Sequence, residues 1–419
     1  MKVQIKYLTI FVIPVCLFAV FTSSFAQHLD ILVQALANQT NQDTLVYYVN
    51  VLSGEDSVII NGSRYLITSR NAFQPGNDLA ADFIYQTLEK TGLPTYDPNY
   101  SASGRNVFAI QTGTDYSDQQ FIICAHYDDM PTSAIAPGAD DNASGTAAVL
   151  EAARILSRVQ TPYTVIYALW DEEEIGLVGS SNYAQQDYLT GDNILGVVNL
   201  EMFGWDGNDD GKFEIHTRPV ANSLNLANLI VELDNSYQIS LTPLVRNPGT
   251  NASDHSSFWS QGYTAIVCSQ AFFSGDGNPY YHTSNDRITH FNLGYFYSMS
   301  RLAVTTISHL ALNNMAVGIA ARDDLAVSGF RLEQNYPNPF NPTTTIPYKL
   351  PRSDQVDLSI YNSLGQEVRT MMNTIQAAGE YQVIWDGRDN HSRPVPSGVY
   401  IYRLQGENFS DSRKMMLIR

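Results

Sequence analysis

The run YTVIYALW, residues 163–170, limits the fold more than any other stretch. It is apolar or β-branched throughout and does not alternate with polar residues. A strand with one wet face would alternate, so this one reads as buried on both faces, which calls for covering layers above and below. The stretches 106–112, 120–126, 195–202, 212–217 and 264–270 have the same character. Helical stretches lie between and beyond them, at 78–92, 144–159 and 295–315. In the second, Val149, Ala153 and Leu156 share one face, and Gly92 reads as the C-cap of the first. The pattern predicts an α/β domain whose mostly parallel or mixed sheet is sandwiched by helices.

The ends of the 419-residue chain read differently. Lys2 and Lys6 precede an apolar run reaching about Phe21, and Ser24-Phe25-Ala26 is a small-x-small cleavage site. Residues 1–26 therefore read as a signal peptide, and the short run interrupted by Pro14 argues against a membrane anchor. The expectation is export, with no membrane span in the mature chain. The main domain is then 27–320 and a linker 321–329, with a small all-β, Ig-like sandwich at 330–419. There Val356, Leu358 and Ile360 alternate inward, and no helical pattern follows residue 330. Cys16 leaves with the signal peptide. Cys124 and Cys268 sit in apolar runs and read as buried thiols; export permits a disulfide, but two cysteines are not a framework. The net charge of −18 argues against a nucleic-acid partner.

Ligands of an open parallel sheet lie beyond the carboxyl ends of its strands. His126 and Asp128 follow one strand, Asp171 to Glu174 another, and Glu201 a third. PGADDNASG (137–145) and YYHTSNDRI (280–288) add acidic residues and His282 from loops. Each alone has a structural explanation; Asp140, Asp141 and Asn142 could simply cap the next helix. Their gathering at one edge is what points to a site. Histidine with carboxylate suits zinc, and a pair of zinc ions needs a bridging carboxylate, a histidine and carboxylate on each side, and a base. The chain has no G-x-S-x-G elbow, which disfavours a serine hydrolase.

The motifs AHYDD, PGADDNASG, EEIGLVGS, NLEM, SDHSSFW and YYHTSNDRI resemble, in order and spacing, the secreted co-catalytic zinc aminopeptidases. That family also includes glutamate carboxypeptidases and glutaminyl cyclases. The resemblance covers about residues 40–315 and implies peptide substrates and two zinc ions. It makes His126 a zinc ligand oriented by Asp128, Asp141 the bridging carboxylate, Glu174 a ligand and Glu173 the general base. Glu201 would hold the zinc opposite Glu174, and His282 would complete the set. Asp171 and Glu172 are left as solvated or supporting residues. The family most often has aspartate where Glu201 stands, so single-zinc relatives stay in view. A glutaminyl cyclase, a carboxypeptidase and a non-catalytic binding module are the competing readings. Asp254 and His255 either line the substrate pocket or hold structure by hydrogen bonds. Asp206, Asn208, Asp210 and Gly211 resemble the start of a calcium loop, but Thr217 at its twelfth position and the strand that follows favour a tight turn.

In the tail, NYPNPFNPTTTIPYKLP, LGQEV, SGVYIYRL and KMMLI resemble the sorting domains of type IX secretion cargo and the related flagellar-hook-type Ig-like modules. This implies secretion machinery as a partner and a secreted or cell-surface location. A carbohydrate- or surface-binding module is the alternative, although no aromatic platform is evident in the sequence.

Overall fold

The computed structural model describes residues 30–313 and 331–418, apart from 351–353, 363–365, 377–378, 392 and 407–409. The expected signal peptide 1–26 and linker 321–329 lie outside the described residues.

In chain order the first part contains α1 (Ile31–Ala37), α2 (Gln42–Leu52), the hairpin β1 (Val58–Ile60) and β2 (Ser63–Tyr65), α3 (Pro75–Glu89), β3 (Thr95–Tyr96), β4 (Val107–Gln111) and β5 (Tyr116–His126). Next come α4 (Gly145–Leu156), β6 (Tyr163–Trp170), α5 (Val178–Thr190), β7 (Asn193–Glu201), β8 (Lys212–His216), α6 (Ser223–Ser236), β9 (Thr242–Arg246), α7 (His255–Ser260), β10 (Ala265–Gln270) and α8 (Leu293–Leu312). The expected helices are present with shifted ends. Pro75 occupies the first helical turn of α3 and starts it earlier than residue 78, since its missing N–H costs nothing there. Asp30, Asn41 and Asn292 cap α1, α2 and α8 by accepting backbone N–H groups.

The sheet order is β3-β4-β6-β5-β7-β10-β8-β9. Its centre, β6-β5-β7-β10, is parallel, while β4 pairs antiparallel with β6 and β8 antiparallel with β10. The sheet is thus mixed, and the parallel part is where the continuous apolar runs lie. Within β5, Phe121, Ile123 and Ala125 join the core shared with α2, α3, α4 and α8, while Ile122 and Cys124 face a second cluster with Ala184, Phe258 and Trp259 of α5 and α7. Burial on both faces is what removed the alternation from the sequence. Cys124 and Cys268 are buried, unlinked thiols.

The tail forms two antiparallel sheets from β11 (Arg331–Leu332), β12 (Thr344–Leu350), β13 (Asp354–Asn362), β14 (Glu367–Gln376), β15 (Gly379–Trp385), β16 (Gly398–Gln405) and β17 (Ser410–Leu417). Their orders are β11-β12-β15 and β14-β13-β16-β17. Val356, Leu358, Ile360, Trp385 and Tyr402 anchor a core of their own. Among the described residues no helix is long and apolar enough to cross a membrane.

Candidate metal centre

β5, β6 and β7 are parallel neighbours, so their carboxyl ends lie along one edge. His126 ends β5 and Glu201 ends β7, while Trp170 ends β6 and leads into Asp171–Glu174. Asp141 comes from the turn Ala139–Ser144 before α4, where Asp141 and Asn142 leave helical angles. The flanking glycines of that motif have steric causes. A Cβ on Gly138, whose φ is +46°, would lie 2.4 Å from the Asp141 carbonyl oxygen. One on Gly145 would lie 2.6 Å from that of Leu200.

The edge brings the histidines and carboxylates together around Asp141. Its Oδ1 is 3.3 Å from His126 Nε2, and its Oδ2 is 3.1 Å from His282 Nε2. His126 Nε2 also lies 3.2 Å from Glu201 Oε1, and His282 Nε2 lies 3.0 Å from Glu174 Oε2. Donor atoms of His126, Glu173 and Glu201 fall within 4.8 Å of one another, as do those of His126, Asp141 and Glu174.

A second layer fixes these groups. Asp128 lies 3.4 Å from His126 Nδ1 and accepts the backbone amides of Glu173 and Glu174 at 3.0 and 3.1 Å. Asp286 accepts those of Asp140 at 3.1 Å and Asp141 at 3.0 Å. Ser253 Oγ donates to Glu201 Oε2 at 2.7 Å and receives Asn199 Nδ2 at 2.7 Å, which leaves Glu201 Oε1 facing His126. Arg70, fully buried, donates to the carbonyls of Leu52, Tyr127, Pro137 and Gly138 and pairs with Asp129 at 3.3 Å. It therefore braces both the strand end behind His126 and the turn before Asp141. The non-glycine residues with positive φ include Glu172, Met202 and His282, each at or beside this cluster. Such conformations cost about 1–3 kcal/mol and persist where the surroundings impose them.

The electrostatics are those of a crowded acidic pocket. Burial, then Asp141, pushes Glu174 up to about 8. Burial also raises Glu173 well above the usual range; His126 opposes this, while Asp254, Glu201 and Glu174 add to it. For Asp141 burial acts upward, but His126 and His282 outweigh it and hold the carboxyl below its ordinary value. Burial lowers His282, but Asp141 and Glu174 together bring it up to about 10. Asp141 Oδ2, Glu174 Oε1 and His282 Nε2 are buried without a hydrogen bond of acceptable geometry among the described residues. Converging oxygen and imidazole donors, excess negative charge and orphaned buried atoms fit divalent cations such as zinc.

Other expectations fare differently. Of the two readings of Asp171 and Glu172, solvated or supporting, the second holds: both are buried. Asp171 takes Asn77 Nδ2 and the Arg105 amide, and Glu172 takes Tyr100 and Ser103 hydroxyls. They anchor the start of the acidic run to α3 and to the loop before β4. Asp254 and His255 are buried outside the cavity beside the cluster; His255 Nε2 donates to the Thr250 carbonyl and its ring packs on Trp259. The contacts of His255 are structural, whereas both oxygens of the buried Asp254 carboxylate have no hydrogen bond of acceptable geometry among the described residues. The calcium-like loop closes on itself, with Asp206 accepting the Asp210 and Gly211 amides and Asp210 paired with Lys212, as a tight turn does.

A cavity of about 100 Å³ adjoins the cluster, lined by Met202, Val267, Phe272, Phe273, Tyr281 and His216 among others. His216 was not singled out from the sequence. It ends β8, but β8 runs antiparallel to β10, so its carboxyl end points away from the edge that carries His126 and Glu201.

Residues 106–307 match the profile of Peptidase family M28. Residues 342–409 match that of the FlgD Ig-like domain. The M28-like stretch contains His126, Asp141, Glu173, Glu174, Glu201 and His282 together. Curated relatives include a probable zinc metalloprotease of Pyrenophora tritici-repentis, 29% identical over 42% of this chain and 42% of its own length. Another is leucine aminopeptidase 1 of Trichophyton rubrum, 31% identical over 50% of this chain and 60% of its own length. The chain thus spans about half the length of the curated relatives it matches. The crystal structure of the Legionella pneumophila LapA aminopeptidase superposes with a TM-score of 0.58 at 21% identity, covering 67% of this chain and 75% of that one. The M28-like region therefore shares its α/β fold with that enzyme.

Proposed function

We propose that this chain is an exported zinc-dependent aminopeptidase, cleaving the first peptide bond of substrates with a free amino terminus. One observation carries the reading. Asp141 offers one oxygen to His126 and the other to His282, and Glu201 and Glu174 stand on the two flanks. A carboxylate shared between two histidine–carboxylate sets is the arrangement two adjacent zinc ions require. The match to Peptidase family M28 supports it, as do the names of the two relatives.

His126, Asp141 and Glu201 would hold one ion; His282, Asp141 and Glu174 would hold the other. Bound zinc supplies Lewis acidity toward the scissile carbonyl and lowers the pKa of a water toward neutrality. Glu173 accepts the proton of the attacking water and returns it to the leaving amine. Asp128 keeps Glu173 and Glu174 facing their separate tasks through its paired acceptance of their amides. The cavity beside the cluster receives the terminal side chain. The tail sandwich serves delivery to the exterior through secretion machinery, in keeping with its separate core.

A substrate panel tests the reading: leucine 4-nitroanilide, its N-acetyl derivative, a carboxypeptidase substrate and a peptide with N-terminal glutamine, each with and without chelator. Chelator-sensitive cleavage of the free-amine substrate alone is the expected result. Cyclisation of the glutamine peptide or carboxyl-terminal trimming would replace the assignment, and no metal-dependent turnover would favour a binding module.

A further inference from the structure

Glu214 of β8 is fully buried, yet it belongs to no part of the metal cluster. Its Oε1 accepts Ser274 Oγ at 2.5 Å and Arg246 Nε at 3.0 Å. Its Oε2 accepts the Phe273 amide at 3.1 Å and lies 3.2 Å from His216 Nε2. The Thr250 amide donates to the other ring nitrogen of His216 at 3.2 Å, which leaves Nε2 to carry the proton toward Glu214. One carboxylate thus ties β8, β9 and the turn after β10. A buried charge is tolerated only when satisfied in this way.

The turn it holds opens the segment 271–282, which ends in His282. A chain of ring contacts links β8 to both ends of that segment. His216 meets Phe273 at 5.2 Å, Phe273 meets Phe272 at 5.4 Å, Phe272 meets Tyr281 at 5.3 Å, and Tyr281 stacks on His282 at 3.7 Å. All but the last line the cavity. A second fastening sits beyond: Asp276 accepts Trp205 Nε1 at 3.0 Å and the Gly207 amide at 2.9 Å, and Trp205 packs edge-on against Tyr280. The acidic loop that resembled a calcium site is therefore a mooring for the cavity wall.

We propose that Glu214 is a positioning residue for substrate selection: by fastening Phe273 and Ser274 it fixes the aromatic wall, and so sets which terminal side chains the cavity admits. This rests on the reading of the cavity as the substrate pocket. It assigns Glu214 no contact with the reacting atoms, so its loss acts on binding and selectivity before turnover.

The test compares wild type with Glu214→Gln on alanine, valine, leucine and phenylalanine 4-nitroanilides, with hydrogen exchange of segment 271–282 measured in parallel. KM for the preferred substrate should rise about tenfold, the scale of one charge-assisted hydrogen bond, with kcat within about threefold. Preference among the four substrates should flatten, zinc content should hold, and exchange in 271–282 should quicken. A uniform loss of kcat with preferences intact, or unchanged exchange in that segment, would overturn the proposal. Should Glu214→Gln not fold, Ser274→Ala removes one fastening from the loop side and must move preference and exchange the same way; unchanged values there overturn it equally. A wild type inactive on all four substrates would refute the aminopeptidase reading, and exchange would still decide whether Glu214 holds the loop.

Discussion

The backbone amide of Glu173 donates to Asp128 Oδ1 at 3.0 Å, across 45 residues of sequence. Glu174 does the same to Oδ2, while Asp128 also faces the His126 ring. One buried carboxylate therefore sets the register of the acidic run and shares the orientation of a histidine with its own backbone carbonyl, which lies 3.2 Å from His126 Nδ1. In Asp128→Asn one acceptor becomes an N–H₂ group facing an N–H donor. Zinc affinity should fall about 10–100-fold, with activity falling alongside. Zinc titration of the metal-stripped variant measures this; unaltered affinity would separate Asp128 from the centre.

Glu173 is the carboxylate assigned to proton transfer. Glu173→Gln keeps the shape and removes the base, so activity should drop about 10²–10⁴-fold while zinc content stays near wild type. Steady-state rates beside elemental analysis give the answer, and substantial remaining turnover would move the role elsewhere.

Glu214 makes a prediction about pH. Burial alone would raise its pKa, but hydrogen bonds from His216, Ser274 and Phe273 outweigh this and hold it at about 2, against 4.5 for a free glutamate. A depressed carboxyl pKa stabilises the fold above the unfolded value and loses that contribution as pH falls through the folded one. The stability difference between wild type and Glu214→Gln should be fully present above pH 4.5 and shrink toward pH 2. Urea unfolding across that range measures it; a constant gap would show that charge is not what Glu214 contributes.

The tail carries its own core around Trp385 and Tyr402. Removal of residues 330–419 should therefore leave a cooperatively folding protein with near-native zinc content and activity, but one no longer delivered outside. A truncation that folds yet lacks activity would contradict the division into two functional parts.

Much of this was legible because physics writes it locally. Burial on both faces erases alternation in β5, β6 and β7, and the parallel arrangement puts His126, Glu201 and the residues after Trp170 on one edge. The legible part ended where partners are distant. Asp171 and Glu172 look like a wet charge run, yet Asn77, Tyr100 and Ser103 bury them, and no local pattern announces such partners. In SDHSSFW it is Ser253 that reaches Glu201, while Asp254 and His255 turn into the interior. A one-residue change of register in a loop is invisible without its surroundings. Glu214 and His216 escaped because β8 runs antiparallel to β10, so its carboxyl end points away from the edge that carries His126 and Glu201.

The proposed aminopeptidase centre is a pair of zinc ions sharing Asp141. Stepwise return of zinc to the metal-stripped protein, followed by leucine 4-nitroanilide hydrolysis, tests it most directly. Activity should climb to a plateau at two zinc ions per chain, and Asp141→Asn should show no comparable plateau. Full activity at one equivalent, or turnover with none, would contradict the account.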